Sequence, residues 1–399
     1  MAMCPTTSYE GNCRMDELGY VEPTEVQKEA LPVLFADCDC VLHAQTGSGK
    51  TLAYLLRIFS VVNVQRSTVQ ALIVVPNREL GIQVTKVARL LAAKSEELNS
   101  EQKQCSIMPL LDGGSLKRHR SWLKAEPPTM MIATLVSISQ MIERHVLTLN
   151  ALRVLVVDEV DFMFNSPKHV SSLRKLLTSH SCSKFRQTVF ASATIPQHRR
   201  FLYEAAQQKW TKADVVHVYV NPIMPLPSCL HHRFVVCSQS EKYQALHSLL
   251  KSDKPHSAIV FVGAQSEKSK KEGNAPPTIS VKEYLESSLM GLCKISLLEE
   301  EMNFNRRAAS LTELRQGGGY LLVATDIAAR GIDLPETTHV YNFDLPNDAV
   351  SYLHRAGRTG RKPFSDDTCY ATSIITPGEQ FVLQRFENQL MFSCEQLFL

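Results

Sequence analysis

Short apolar runs rich in β-branched residues recur along the chain. They are CVLHA (40–44), ALIVVP (71–76), MMIAT (130–134), VLVVDE (154–159), TVFASAT (188–194), HRFVVC (232–237), AIVFVG (258–263), YLLVATD (320–326) and HVYNFD (339–344). Helix-like segments lie between them. A strand with one wet face alternates apolar and polar residues, whereas these runs are nearly continuous and predict burial on both faces. The pattern predicts an α/β fold of parallel sheets covered by helices. The segment NPIMPLPSCL (221–230) holds three prolines among few structure formers and predicts a domain break. The expected division is residues 1–222, a linker at 223–230 and residues 231–399. A Lys/Ser/Gly/Pro-rich stretch, 265–280, is expected to be a flexible surface insertion in the second domain. No internal repeat of 20–50 residues is visible.

Composition agrees with two domains. A chain of 399 residues exceeds one ordinary hydrophobic core. Formal net charge is only +3, so any attraction to nucleic acid must come from local placement of Lys and Arg. Eleven cysteines are scattered, with one C-x-C at Cys38 and Cys40 and no second pair at zinc spacing. They are expected to be reduced thiols. No apolar run approaches a membrane span, and no membrane partner is expected. The opening stretch MAMCPTTSYEGNCRMDE lacks a secretory apolar core and is short and acidic for a transit peptide.

Two stretches carry chemistry. HAQTGSGKTLAYLL (43–56) follows the first apolar run and opens a helical one. It fits the phosphate-loop pattern G-x-x-x-x-G-K-[ST], with Ala44 in place of the first glycine, followed by Gln45, Thr46, Gly47, Ser48 and Gly49. Gly47 and Gly49 let backbone N–H groups curl around phosphate oxygens. Lys50 supplies a point charge for the β/γ phosphates, and Thr51 offers a hydroxyl to Mg²⁺. The helix start adds its partial positive charge. The second stretch is VLVVDEVD (154–161), an apolar strand that ends in three carboxylates. Ligands of open α/β sheets sit beyond the carboxyl ends of the strands. Asp158 there can hold Mg²⁺, Glu159 can deprotonate an attacking water, and Asp161 is a third polar handle.

The ordered set of motifs resembles the DEAD-box RNA helicases, superfamily 2 ATPases. GYVEPTEVQ (19–27) resembles the Q motif, PNREL (76–80) the family's PTREL, DGG (112–114) its glycine doublet, and DEVD (158–161) the acid box. SAT (192–194) is intact, and VATDIAARGID (323–333) and HRAGRTGR (354–361) match closely. The resemblance implies two tandem RecA-like domains with a cleft between them. It implies ATP and Mg²⁺ as cofactors, RNA-stimulated hydrolysis, and local, non-processive unwinding or ribonucleoprotein remodelling. It assigns Gln27 to the adenine, Asp333 to the nucleotide, and Arg358 and Arg361 to the γ-phosphate as arginine fingers. Arg78, Gly113, Gly114, Thr134, Arg330 and Gly331 would contact RNA, mainly its sugar-phosphate backbone. Ser192, Thr194, Asp326, His354 and Arg355 would join Asp161 in coupling the two activities. A monomer with ribonucleoprotein or ribosomal protein partners is implied. Within the family the chain looks most like the plant chloroplast-type members; cytosol, nucleus and mitochondrion are the other compartments the family uses.

The chain departs from the family pattern in several places. Glu10 stands where an aromatic residue usually precedes the Q motif, Val160 replaces Ala in the acid box, and Asn77 replaces Thr in PTREL. Thr134 is not followed by Pro-Gly-Arg. EEEMNFNRR (299–307) replaces a His-Gly-Asp segment, with Phe304 in a Gln position and Arg307 retained. Three glutamates beside an RNA groove should weaken phosphate attraction. ATP chemistry is therefore expected to survive better than RNA grip. The competing expectations are an RNA-binding scaffold with weak or lost catalysis, and a DNA translocase of the same superfamily.

Overall fold

The structure is a computed structural model. It describes residues 15, 17–20, 22–45, 47–93, 104–111, 116–165, 167–179, 186–195, 198–220, 229–289, 294–316, 318–329, 331–332, 334–335, 337–360 and 368–398. The chain divides into two compact units, Met1–Asn221 and Pro222–Leu399. Most of the expected linker, and Glu10, lie outside the described residues.

The first unit is a seven-stranded sheet of β1 (Cys40–His43), β2 (Ala71–Val75), β3 (Ile107–Leu110), β4 (Met130–Thr134), β5 (Val154–Asp158), β6 (Gln187–Ser192) and β7 (Val216–Tyr219). The spatial order is β3-β4-β2-β5-β6-β1-β7, with every pairing parallel. Alternate residues feed two separate cores. Leu72, Val74, Leu155 and Val157 face one, and Ile73, Val75, Val154 and Val156 the other. Each such side chain, buried, contributes about 1.5–3 kcal/mol. That double burial is why the runs read as continuously apolar.

The second unit repeats the plan with β8 (Leu230–Val236), β9 (Ser257–Phe261), β10 (Ile295–Leu298), β11 (Tyr320–Ala324), β12 (His339–Asn342), β13 (Cys369–Ile375) and β14 (Cys394–Leu397). Its order is β10-β11-β9-β12-β13-β8-β14, again all parallel. Both units are RecA-like α/β layers. Of the fourteen strands among the described residues, five do not read as apolar runs: β3, β7, β10, β13 and β14. Four are short, and β13 carries Thr372 and Ser373 fully buried. Those hydroxyls are satisfied laterally: Thr372 Oγ1 accepts from Arg233 (3.0 Å), and Ser373 Oγ from Asn342 (3.1 Å).

The stretch 265–280 corrects the expectation of a flexible insertion. It is carried by a helix at Glu267–Lys271 and the start of another at Pro277–Ser288. Ser266 caps the first by accepting from Ser269 N, and proline opens the second, where its missing N–H costs nothing. Thr278 and Val281 are buried. Composition alone hid these two anchors. Among the described residues no helix is long and apolar enough to cross a membrane.

Candidate nucleotide and RNA site

The phosphate loop leaves the carboxyl end of β1 and enters the helix Lys50–Val61. Gly47 and Gly49 adopt φ of +83° and +100°, the left-handed region that favours glycine. A Cβ on Gly49 would also meet Gln27 Nε2 at 2.5 Å. The loop closes on its own lysine: Lys50 Nζ donates to the carbonyls of Ala44 (2.6 Å) and Gln45 (2.8 Å). Burial pulls the Lys50 pKa down, while Glu159, Asp158 and Asp161 pull it back up. Thr46 lies outside the described residues.

Gln27 braces the same loop. Thr24 and Gln27 form a capping box at the start of the helix Glu25–Phe35. Thr24 Oγ1 then donates to Ser48 O (2.7 Å) and Gln27 Nε2 to Gly49 O (3.3 Å).

β5 lies two places from β1, across β6, and brings Asp158 to the same rim. Asp158 Oδ2 accepts from Tyr54 on the phosphate-loop helix (2.9 Å). Burial and the Glu159 charge push the Asp158 pKa up to about 6, opposed by Lys50 and the Tyr54 hydrogen bond. Glu159 turns the chain with φ +50°, a strained value for a residue with a side chain. Its Oε2 is buried without a hydrogen-bond partner among the described residues. Asp161 is fully buried and clamps the end of β6, accepting from Ser192 Oγ (2.5 Å) and Thr194 Oγ1 (2.6 Å). Val160 is wholly buried in the core, so its extra methyls found room.

The residues fit Mg²⁺. Hard cations take oxygen donors. Thr51 and Asp158 offer two such oxygens, and both act on the Tyr54 hydroxyl, which donates to Asp158. The orphaned Glu159 carboxylate oxygen lies buried beside Asp158. Tyr54 was missed from the sequence, although it stands four residues after Lys50 on one helix face, the spacing at which side chains meet.

Two of the expected RNA residues, Arg78 and Thr134, stand on the β2–β4 side of the sheet. Arg78 opens the helix Arg78–Ala92 after β2, and Thr134 ends β4 and precedes the helix Leu135–Glu143. Asn77 does what Thr would do, capping the helix by accepting from Leu80 N (2.8 Å). Gly113, Gly114, Arg330, Asp333 and Arg361 lie outside the described residues.

In the second unit two arginines of the HRAGRTGR segment are buried: Arg355 and Arg358 are each 2% exposed. Arg355, on the helix Ala349–Ala356, pairs with Asp326 (2.6 Å) and donates to Asp344 O (2.7 Å). Arg358 donates to Ala329 O (2.9 and 2.7 Å) and to Ile332 O. It thereby holds the turn at Gly331, whose φ is +62°. His354 is buried on the same helix. Two of the three glutamates have side-chain partners, and one of these partners is a cation. Thr278 Oγ1 donates to Glu299 (2.5 Å), and Lys270, from the Glu267–Lys271 helix, pairs with Glu301.

A phosphate loop on one parallel strand, with an acid-tipped strand two places away, defines a RecA-like nucleotide hydrolase. The family models narrow that class. Residues 24–201 match the DEAD/DEAH box helicase family, and residues 241–363 match the helicase conserved C-terminal domain. The chain is 64% identical over 386 residues to the DEAD-box ATP-dependent RNA helicase 58, chloroplastic, of Arabidopsis thaliana, covering 97% of this chain and 81% of that protein. It is 59% identical to the rice protein of the same name, over 96% and 85%. The chain belongs to the DEAD-box helicase family. Two solved structures share the fold: S. cerevisiae Dbp5 bound to RNA and ADP-BeF3 (TM-score 0.80, 21% identity, 98% of this chain and 93% of that one), and Mss116p bound to ssRNA and AMP-PNP (TM-score 0.82, 19%, 99% and 78%).

Proposed function

We propose that this chain is an ATP-dependent RNA helicase that hydrolyses ATP when RNA is bound and separates short duplexes locally. The observation that carries this reading is the gathering of Lys50, Asp158, Glu159 and Asp161 at the ends of β1 and β5, with the Ser192–Thr194 segment of β6 tied to them.

Lys50 lies ready to exchange its two carbonyl partners for β/γ-phosphate oxygens. Mg²⁺, held by Thr51 and Asp158, would neutralise phosphate charge. Glu159, whose buried Oε2 has no hydrogen-bond partner among the described residues, would take the proton from the attacking water. Gln27 would read the adenine edge, Asp333 would contact the nucleotide, and Arg358 and Arg361 would stabilise charge on the γ-phosphate. Hydrolysis would then wait on assembly of the two units around ATP. Asp161, Ser192, Thr194, Asp326, His354 and Arg355 would relay the state of one ligand to the other. Arg78, Thr134, Gly113, Gly114, Arg330 and Gly331 would hold phosphates and 2′-hydroxyls, so sequence preference is weak.

The names of the two plant relatives support a chloroplast location. Steady-state ATP turnover with and without RNA tests the reading. RNA should raise turnover and Lys50→Ala should abolish it. Turnover indifferent to RNA would leave only a binding scaffold, and a preference for deoxyribo-oligonucleotides would point to a DNA translocase.

A further inference from the structure

The helix Leu116–Ala125 follows β3, the edge strand beyond β4. Its inner side is set by His119 and Leu123, both buried. Arg118, Arg120, Trp122 and Lys124 are exposed, and the helix sequence LKRHRSWLKA contains no acid. An indole that is 51% exposed forgoes much of the burial its size offers. Yet it is held in place. The Arg118 guanidinium lies 5.1 Å from the ring centre, and the His119 ring meets it edge-on at 6.0 Å. Arg118 thus shares the indole's flank of the helix, while Arg120 and Lys124, each two residues from Trp122, project from the opposite flank.

Resting on the reading above, we infer that this helix is a second RNA surface: single-stranded RNA flanking the segment held by Arg78 and Thr134 crosses it, stacking a base on Trp122 beside Arg118 and setting its next phosphates against Arg120 and Lys124 on the opposite flank. Charge complementarity selects a polyanion, and the fixed indole selects one that carries bases. The helix follows β3 in the chain, and β3 belongs to the β2–β4–β3 side of the sheet that also leads to Arg78 and Thr134. An acidic peptide satisfies the cations but gives the indole nothing flat to stack on.

The test uses the full chain, a non-hydrolysable ATP analogue, and two RNAs: a short single strand and the same strand extended by about ten nucleotides. Trp122→Ala should weaken the extended RNA about tenfold and leave the short RNA and RNA-free ATP turnover unchanged, with Trp122→Tyr restoring most of the loss. Replacing Arg120 and Lys124 with Ala should lower the slope of log affinity against log salt by about 0.7 per cation, on the extended RNA alone. Trp122 is one of only two tryptophans, and Trp210 is buried, so the extended RNA should quench the exposed emission while the short one does not. If Trp122→Ala binds both RNAs as the unaltered chain does, or polyglutamate competes as well as RNA of equal charge, the surface is not an RNA site. If the short RNA still drives ATP turnover in that case, only this inference falls. A chain that binds neither RNA overturns both it and the helicase reading.

Discussion

The Tyr54 hydroxyl donates to Asp158 Oδ2 across 2.9 Å, inside a buried site, and so ties the phosphate-loop helix to the acid box. Tyr54→Phe keeps the ring and deletes the bond. A buried acceptor left short of one donor costs about 1–3 kcal/mol, and here the cost falls on a carboxylate that the proposed mechanism aims at Mg²⁺. The expected outcome is a several-fold rise in the Mg²⁺ concentration for half-maximal ATP turnover, with the KM for ATP held. A magnesium titration of the variant checks it; an unchanged midpoint removes Tyr54 from the site.

Asp161 ties the helix after β5 to the end of β6 through two charge-assisted bonds and has no access to water. Asp161→Ala leaves Ser192 and Thr194 without their acceptor. At about 1.5–3 kcal/mol per bond to a charged group, the first unit should lose roughly 3 kcal/mol or more. Urea unfolding followed by Trp210 emission reads this directly.

Gly49→Ala places a methyl at φ +100° against Gln27 Nε2. Strain of about 1–3 kcal/mol and a displaced Gln27 should open the loop and raise the Kd for ATP at least tenfold. Gly318, with nothing within 4 Å of a built Cβ, is the control, and Gly318→Ala should bind ATP normally.

His232 is buried in the second unit, with Nδ1 2.8 Å from the Tyr352 hydroxyl, and burial followed by His231 lowers its pKa to about 4. The folded state therefore prefers the neutral ring. Its contribution is complete above the unfolded pKa near 6.5 and is lost as pH falls from there toward 4. At pH 4 the loss reaches about 3 kcal/mol, since each pKa unit is worth about 1.36 kcal/mol. Urea midpoints should fall through this range, and His232→Gln should flatten the decline.

Much of this was legible in the sequence, for identifiable reasons. Strands buried on both faces announce themselves as apolar runs, and the phosphate loop and acid box are short enough to be read whole. The structure brings Lys50, Asp158, Glu159, Asp161, Ser192 and Thr194 together as a local group within one unit. What escaped depends on partners distant in the chain. β13 hides because its buried hydroxyls are satisfied by Arg233 and Asn342, far away in sequence. The lysine-rich stretch looked unstructured because Thr278 and Val281, its anchors, are few among many polar residues. Arg355, which the resemblance assigned to coupling, is an internal strut on Asp326 and Asp344, partners the sequence alone does not show.

Strand order in the first unit sorts the rim. β5, β6 and β1 carry the groups proposed to serve ATP; β2, β4 and β3 lead to Arg78, Thr134 and the basic helix. The frontier falls between β2 and β5, which pair residue for residue from Ala71–Val154 to Val74–Val157. On the proposed reading, fuel and cargo are handled on adjacent rails about 4.8 Å apart. A nudge to Asp158 needs no long lever to be felt at Arg78.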